Sequence, residues 1–319
     1  MTNLSRSQKR ITLFSKTMHA REVRLAWALI LPTALIVFGV ILFPAIFSIW
    51  ISFRKVGLSN LNDVFQAPYI GLDNYRAVFS DFAFKWVSFN QMGAAATTVF
   101  YSFVSTIITV LFGLAASLLL NRPFKGRGLA RGIFLFPYIA PVISVAFVWR
   151  WLLDPRPSGV LNHVLMSLGL LDAPKAFLAT RGLAIWLVIF FQAWRYFPFA
   201  MLMILARLQA IDDTQYEAAS VDGANTMQKF WYVVLPELRY VLGAIFLLRL
   251  LWTFNKFDDI WLLTGGGYGT NVLPVLTYQF SFNSYDFGKG AATAMIMLAA
   301  LVVFIIAYVL IIMRNAEES

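Results

Sequence analysis

LAWALILPTALIVFGVILFPAIFSIWISF, residues Leu25–Phe53, separates Arg24 from Arg54 without one charged side chain. A bilayer's hydrocarbon core is about 30 Å thick and is crossed by about 20 apolar helical residues, so this stretch is more than long enough to span it. Arg6, Lys9, Arg10, Lys16, Arg21 and Arg24 precede it, as in the n-region of a signal peptide. A cleavable h-region holds only about 7–15 apolar residues before a small-residue cleavage site. The stretch is therefore expected to stay in the membrane as an uncleaved first helix.

The rest of the chain is of the same kind. Of 319 residues, 60% are hydrophobic and 13% charged, and the mean hydropathy is +0.71; soluble domains carry about 25% charged residues. The sequence specifies an all-α integral membrane protein, with 30 Phe and 10 Trp as lipid-facing bulk and interfacial anchors. The absence of cysteine excludes disulfides, thiolate metal sites and a Cys nucleophile. His19 and His163, far apart, do not form a metal site. The net charge of +10 is spread between apolar runs, which marks topology rather than a nucleic-acid stripe.

Six spans are expected, at Leu25–Phe53, Gln91–Leu120, Gly132–Leu152, Gly182–Ala206, Tyr240–Leu263 and Ala291–Met313. The chain divides into a basic segment 1–24, a transmembrane domain 25–313 with a polar loop at about 207–239, and a tail 314–319. The loop NRPFKGRGLAR, Asn121–Arg131, is basic without an acid and should share the cytoplasmic side with the N-terminus. The C-terminus and the 207–239 loop then also lie inside. Pro32, Pro44, Pro137, Pro141 and Pro198 interrupt helical hydrogen bonding within spans, shaping helices or opening a path between them.

Two chemistries are missing. No G-x-x-x-x-G-K-[ST] run is present to hold nucleotide phosphates, so the chain is not expected to hydrolyse ATP. On these spans Asp154, Asp258 and Asp259 fall outside and Asp212, Asp213, Glu217, Asp222 and Glu237 inside, so no mid-membrane carboxylate is expected for ion coupling. The mid-span ionisable groups are Arg195 and Arg249.

The 207–239 loop reads DDTQYEAASVDG and then ANTMQKFWYVVLPEL. Asp213 or Thr214 can cap a short helix, with Glu217 as a capping-box acid. Ala218 and Ala219 favour helix with little bulk, and Gly223 ends it. A second helix, roughly Thr226–Leu235, puts Met227, Phe230, Trp231 and Val234 on one face and stops at Pro236.

Glu217-Ala218-Ala219, Gly223 and Val233-x-Leu235-Pro236 resemble the EAA signature (EAA, three residues, Gly, nine residues, Ile-x-Leu-Pro) of permease subunits in binding-protein-dependent ABC importers. Val233 replaces the usual Ile. RPFKGRGLARGIFLFPYIAPVISVAFVWRWLLDP, AWRYFPFAMLMILARLQAIDDTQYEAASVDGA and FNKFDDIWLLTGGG extend the likeness to the carbohydrate-uptake branch, the maltose- and glycerol-phosphate-type permeases. GGGYGTN departs from relatives that have Pro after the glycines.

The resemblance implies a coupling helix, carried by Glu217, Ala218, Ala219, Asp222, Gly223, Leu235 and Pro236, that docks on a separate ATPase. It implies a second permease, two copies of an ATP-binding subunit that holds ATP and Mg, an extracytoplasmic solute-binding protein and a bacterial-type inner membrane. No cofactor belongs to this chain. Gln192, Arg195, Arg249, Trp252 and Asn255 combine planar polar groups with an aromatic face and are candidates for a sugar path; the arginines could equally bind backbone carbonyls or the partner permease. Asp258, Asp259 and Gly265, Gly266 and Gly267 are candidates for receiving the binding protein, or for a capped turn. An importer of an anionic polyol such as glycerol phosphate, a stand-alone ion-coupled sugar carrier and a membrane-spanning receptor or scaffold are the alternatives.

Overall fold

The computed structural model describes residues 22–81 and 92–317, with side chains as far as Leu310. The basic N-terminal residues up to Arg21, His19, Lys85, Gln91 at the start of the expected second span, and the end of the tail lie outside the described residues.

Helix α1 (Glu22–Ser52) is followed by α2 (Asp73–Ser80), α3 (Ala94–Asn121), α4 (Arg127–Ile139), α5 (Val142–Leu152), α6 (Val160–Ser167) and α7 (Leu183–Leu208). Then come α8 (Asp213–Val221), α9 (Thr226–Lys229), α10 (Leu235–Phe254), α11 (Asp258–Thr264), α12 (Leu273–Tyr278) and α13 (Phe287–Glu317). No named strand occurs among the described residues.

Among the described residues, four helices are long and apolar enough to cross a membrane: α1, α3, α7 and α13. The expected third span is broken, because α4 and α5 meet at 93°. Pro141 is the N-cap of α5 and cannot donate to the preceding turn, so Ala140 leaves the helix with ψ at 140°. Counted as one span, the pair brings the total to five. The expected fifth span is displaced: α10 begins at Leu235, carries Glu237, Arg239 and Arg249, and ends at Phe254, while Asp258–Thr264 is a separate helix. By length and apolarity alone, the described residues thus give four or five of the six expected spans.

The centre of the bundle is α3 against α7, joined by α10 and α4. Helices in lipid gain little from hydrophobic exclusion and associate through close packing of small residues. α3 supplies them: Thr98, Ser102, Ser105, Thr109, Gly113, Ala116 and Ser117 are all buried on one face. Thr98 also accepts a 2.8 Å bond from the Leu273 backbone N–H, which satisfies a donor at the start of α12. In contrast, residues 22–46 of α1 are all exposed, and its end, Phe43–Ser52, rests on α13.

Prolines are absorbed in two ways. Pro44 and Pro236 each occupy the first turn of an α-helical segment that follows a π-helical turn, Val37–Leu42 and Phe230–Val234 respectively. The wider turn accommodates a residue that offers no N–H. Pro236 was expected to stop a helix; instead the chain runs helically from Thr226 to Phe254.

Candidate functional site

The exposed loop after α7 is a preformed knuckle. Its cap is Asp212, one residue before the position expected, whose side chain accepts the Thr214 backbone N–H at 3.0 Å. That bond holds the Asp212 carboxyl below its ordinary value. Glu217 makes no capping box, since it lies beyond the first turn. At the other end Ala224 N–H donates to Ala219 O (2.9 Å) and Gly223 N–H to Ser220 O (3.1 Å). This is a Schellman ending, which requires φ > 0 at Gly223, observed at +78°. No atom lies within 4 Å of where a Cβ on Gly223 would stand, so backbone conformation rather than space selects glycine here.

Asn225 and Gln228 form the capping box that starts α9, at 2.9 and 2.7 Å. α8 buries no residue, and Val221 is 88% exposed. Phe230 and Val234 turn inward with Tyr216 and Val233 onto Ile204, Leu208, Ile211 and Leu238, whereas Met227 and Trp231 stay exposed. The expected single face is thus split, because the π turn changes the angular spacing that a 3.6-residue period assumes.

The second cluster lies where α7, α10 and α11 meet. Gln192, Arg195, Arg249, Thr253 and Asp259 are all buried. The Gln192 amide satisfies its neighbours with nitrogen toward the Asp259 carboxylate and oxygen toward Arg249 Nη2 (2.9 Å) and Thr253 Oγ1 (3.1 Å). Lys256 pairs with Asp258 at 2.9 Å and approaches Asp259 at 3.9 Å. Arg195 donates to the Ala140 carbonyl at 2.9 Å, a group at the α4–α5 break.

Asp259, expected near the outer rim, is 0% exposed and belongs to this ionic network. A carboxylate this deeply buried needs cations beside it, and α11 turns it toward them. The Arg195 Nε and Nη1, Arg249 Nε and Asp259 Oδ1 atoms have no hydrogen-bond partner among the described residues.

In front of the cations stands an aromatic wall. Arg249, Lys256 and Arg195 lie 4.4, 4.9 and 5.5 Å from the Tyr196 ring centre, within cation–π range. Tyr138 lies 6.1 Å from Tyr196, and Phe199 5.2 Å from the half-exposed Trp252. Tyr138 and Tyr196 were not singled out from sequence; the AWRYFPF run held a signal only for Tyr196, and Tyr138 arrives through the α4–α5 bend. Asn255 is exposed and spends its amide on the Leu251 carbonyl at 3.0 Å.

The glycine run makes a turn. Gly265 and Gly266 have φ of +63° and +80°, and a Cβ on Gly266 would stand 2.7 Å from Val275. Gly267 N–H bonds Thr264 O at 3.1 Å. In the loop after α5, two bonds from the Arg156 side chain and one from its backbone pull the Asp154 carboxyl down to about 2.

The helical bundle of the described residues, with its polar core and exposed, glycine-ended knuckle, is matched by sequence comparison to the membrane subunits of importers. Residues 109–317 match the family described as binding-protein-dependent transport system inner membrane component, and the chain belongs to that family. It is 32% identical over 299 residues to the inner membrane ABC transporter permease protein YcjO of Escherichia coli, covering 93% of this chain and 95% of that one. It is 34% identical to the trehalose/maltose transport system permease protein MalF of Thermococcus litoralis, covering 90% and 93%. Among solved structures, a chain of a bacterial ABC transporter involved in import of the acidic polysaccharide alginate shares the fold, with TM-score 0.78 at 21% identity, covering 94% of this chain and 99% of that one. The chain is a multi-pass inner membrane permease.

Proposed function

We propose that this chain is one of two permease subunits of an ATP-driven sugar importer, coupled through α8 to a separate ATPase. The observation that carries the reading is the EAA signature standing as an exposed helix with a capped start and a Schellman end at Gly223. Sugar as cargo is supported by the names of the relatives, which include trehalose/maltose and trehalose permeases. The knuckle, the Asn121–Arg131 loop and both termini face the cytoplasm in this reading. Two ATPase copies close on ATP and move α8, and the path between the two permeases turns outward to meet a loaded binding protein. ATP and the loaded receptor can drive that exchange only by binding one state better than the other.

Gly223→Asp is expected to leave the protein inserted but lower ATP-dependent uptake in vesicles at least tenfold, with loss of ATPase from the purified complex. Normal transport by that variant would overturn the coupling assignment.

For the path, Tyr196, Phe199 and Trp252 offer ring faces to a sugar, with Arg195 and Arg249 behind them. Each arginine spends part of its guanidinium on the protein, Arg195 on the Ala140 carbonyl and Arg249 on Gln192 and Thr253, and Asp258 and Asp259 offset the charge of both. That favours an uncharged sugar over an anionic polyol. Trp252→Ala is expected to raise the apparent KM of uptake about two- to tenfold, the worth of one aromatic contact at about 0.5–1.5 kcal/mol. An unchanged KM would remove Trp252 from the path. Uptake by the chain alone under an ion gradient, without nucleotide, would instead establish an ion-coupled carrier.

A further inference from the structure

We infer that Glu237 is the positioning residue through which movement of α8 reaches the membrane helices. It stands in the first turn of α10 and is held from two other elements. Arg207, in the last turn of α7, donates Nη2 to the Glu237 carboxylate and Nε to the Glu237 carbonyl, the latter at 3.2 Å. Gln215, in the first turn of α8, donates Nε2 to the other carboxylate oxygen at 3.3 Å. One side chain therefore ties together the end of α7, the start of α8 and the start of α10.

Apart from one bond between exposed side chains at the far end of α8, from Lys229 Nζ to Ser220 Oγ at 2.6 Å, the rest of the joint is apolar. α8 buries no residue of its own, and Tyr216 is its one member in the apolar cluster beneath it. Apolar contact is non-directional; it resists separation but allows the helix to slide or rotate. A charged pair with a second donor on the same carboxylate fixes direction as well as distance. α7 and α10 are also the helices that carry the buried network of Gln192, Arg249 and Thr253, so a push at Glu237 is delivered to both walls of that cluster.

This inference rests on the proposed docking of α8 to an ATPase, and its test separates the two. The chain contains no cysteine, so single cysteines report cleanly in the complete transporter reconstituted with thiol-free partners. A cysteine replacing the exposed Val221 reads docking by crosslinking to the ATPase. A cysteine replacing Leu248, 40% exposed one turn from Trp252, reads the membrane region by its maleimide labelling rate with and without a non-hydrolysable ATP analogue.

In Glu237→Gln, crosslinking at 221 should persist while the nucleotide-dependent change in labelling at 248 shrinks at least fivefold. Exchanging the charges, Arg207→Glu with Glu237→Arg, should restore more than half of it, which a loss of folding would not allow. An unchanged nucleotide response in Glu237→Gln, or no recovery in the exchanged pair, overturns the clamp while leaving docking intact. No crosslink from 221 in the unaltered joint overturns the docking reading and the clamp with it.

Discussion

Asp259→Ala is expected to destabilise the bundle by about 3–5 kcal/mol, the range found when one partner of a buried ion pair is removed. The carboxylate is fully buried and faces the Gln192 amide nitrogen, with Lys256 at 3.9 Å and Arg249 held through the same Gln192. Without it, Gln192 loses its acceptor and three nearby cations, Arg195, Arg249 and Lys256, keep only Asp258 opposite them. Asp259→Asn keeps shape and an acceptor for Gln192 but not the charge, and should fall between wild type and alanine. Midpoints of thermal unfolding in detergent read the order directly. Equal midpoints for all three proteins would mean that the cluster is hydrated and the carboxylate unneeded.

The knuckle was legible because its signals are local. Gly223 and the two alanines state their conformational preference within a few residues, and the helix runs from Asp213 to Val221 as the composition suggested. Its cap was misplaced by one residue because Asp212, Asp213 and Thr214 are all competent caps, and only the direction of the entering chain chooses among them.

The ionic cluster was not legible. Read as a uniform apolar period, Tyr240–Leu263 placed Asp259 at an outer end. The observed break at Asn255–Phe257 starts a new helix that turns Asp259 back beneath Gln192, which lies 61 residues away from the Thr253 it also contacts. Hydropathy reports how greasy a run is and not whether it bends. For the same reason the Pro137–Pro141 segment could be marked as interrupted but its 93° turn could not be read, since the partner of the freed Ala140 carbonyl, Arg195, lies on another helix.

The α3–α7 contact gives the other large effect, through a glycine that the sequence did not mark. A Cβ on Gly113 would stand 2.5 Å from the Ala200 Cβ and 2.9 Å from the Met201 backbone nitrogen. Neither can swing aside, so the helices themselves must part. Gly113→Ala is expected to cost about 1–3 kcal/mol by overpacking, and Gly113→Leu to prevent accumulation of folded protein in the membrane. Two other helical glycines calibrate the claim. A Cβ on Gly243 would meet only the Tyr308 hydroxyl, at 3.0 Å, the end of a side chain that donates to the Gly243 carbonyl and need shift by only a few tenths of an ångström; Gly243→Ala should be milder than Gly113→Ala. A Cβ on Gly132 meets nothing within 4 Å, and Gly132→Ala should gain up to about 1 kcal/mol of helix propensity. The order of membrane-inserted yield and unfolding midpoint, Gly132→Ala above Gly243→Ala above Gly113→Ala, separates packing from propensity, since propensity alone would raise all three. If Gly113→Leu accumulates and unfolds like wild type, α3 and α7 do not pack backbone against side chain at that level, and the central helix pair of this fold is placed wrongly.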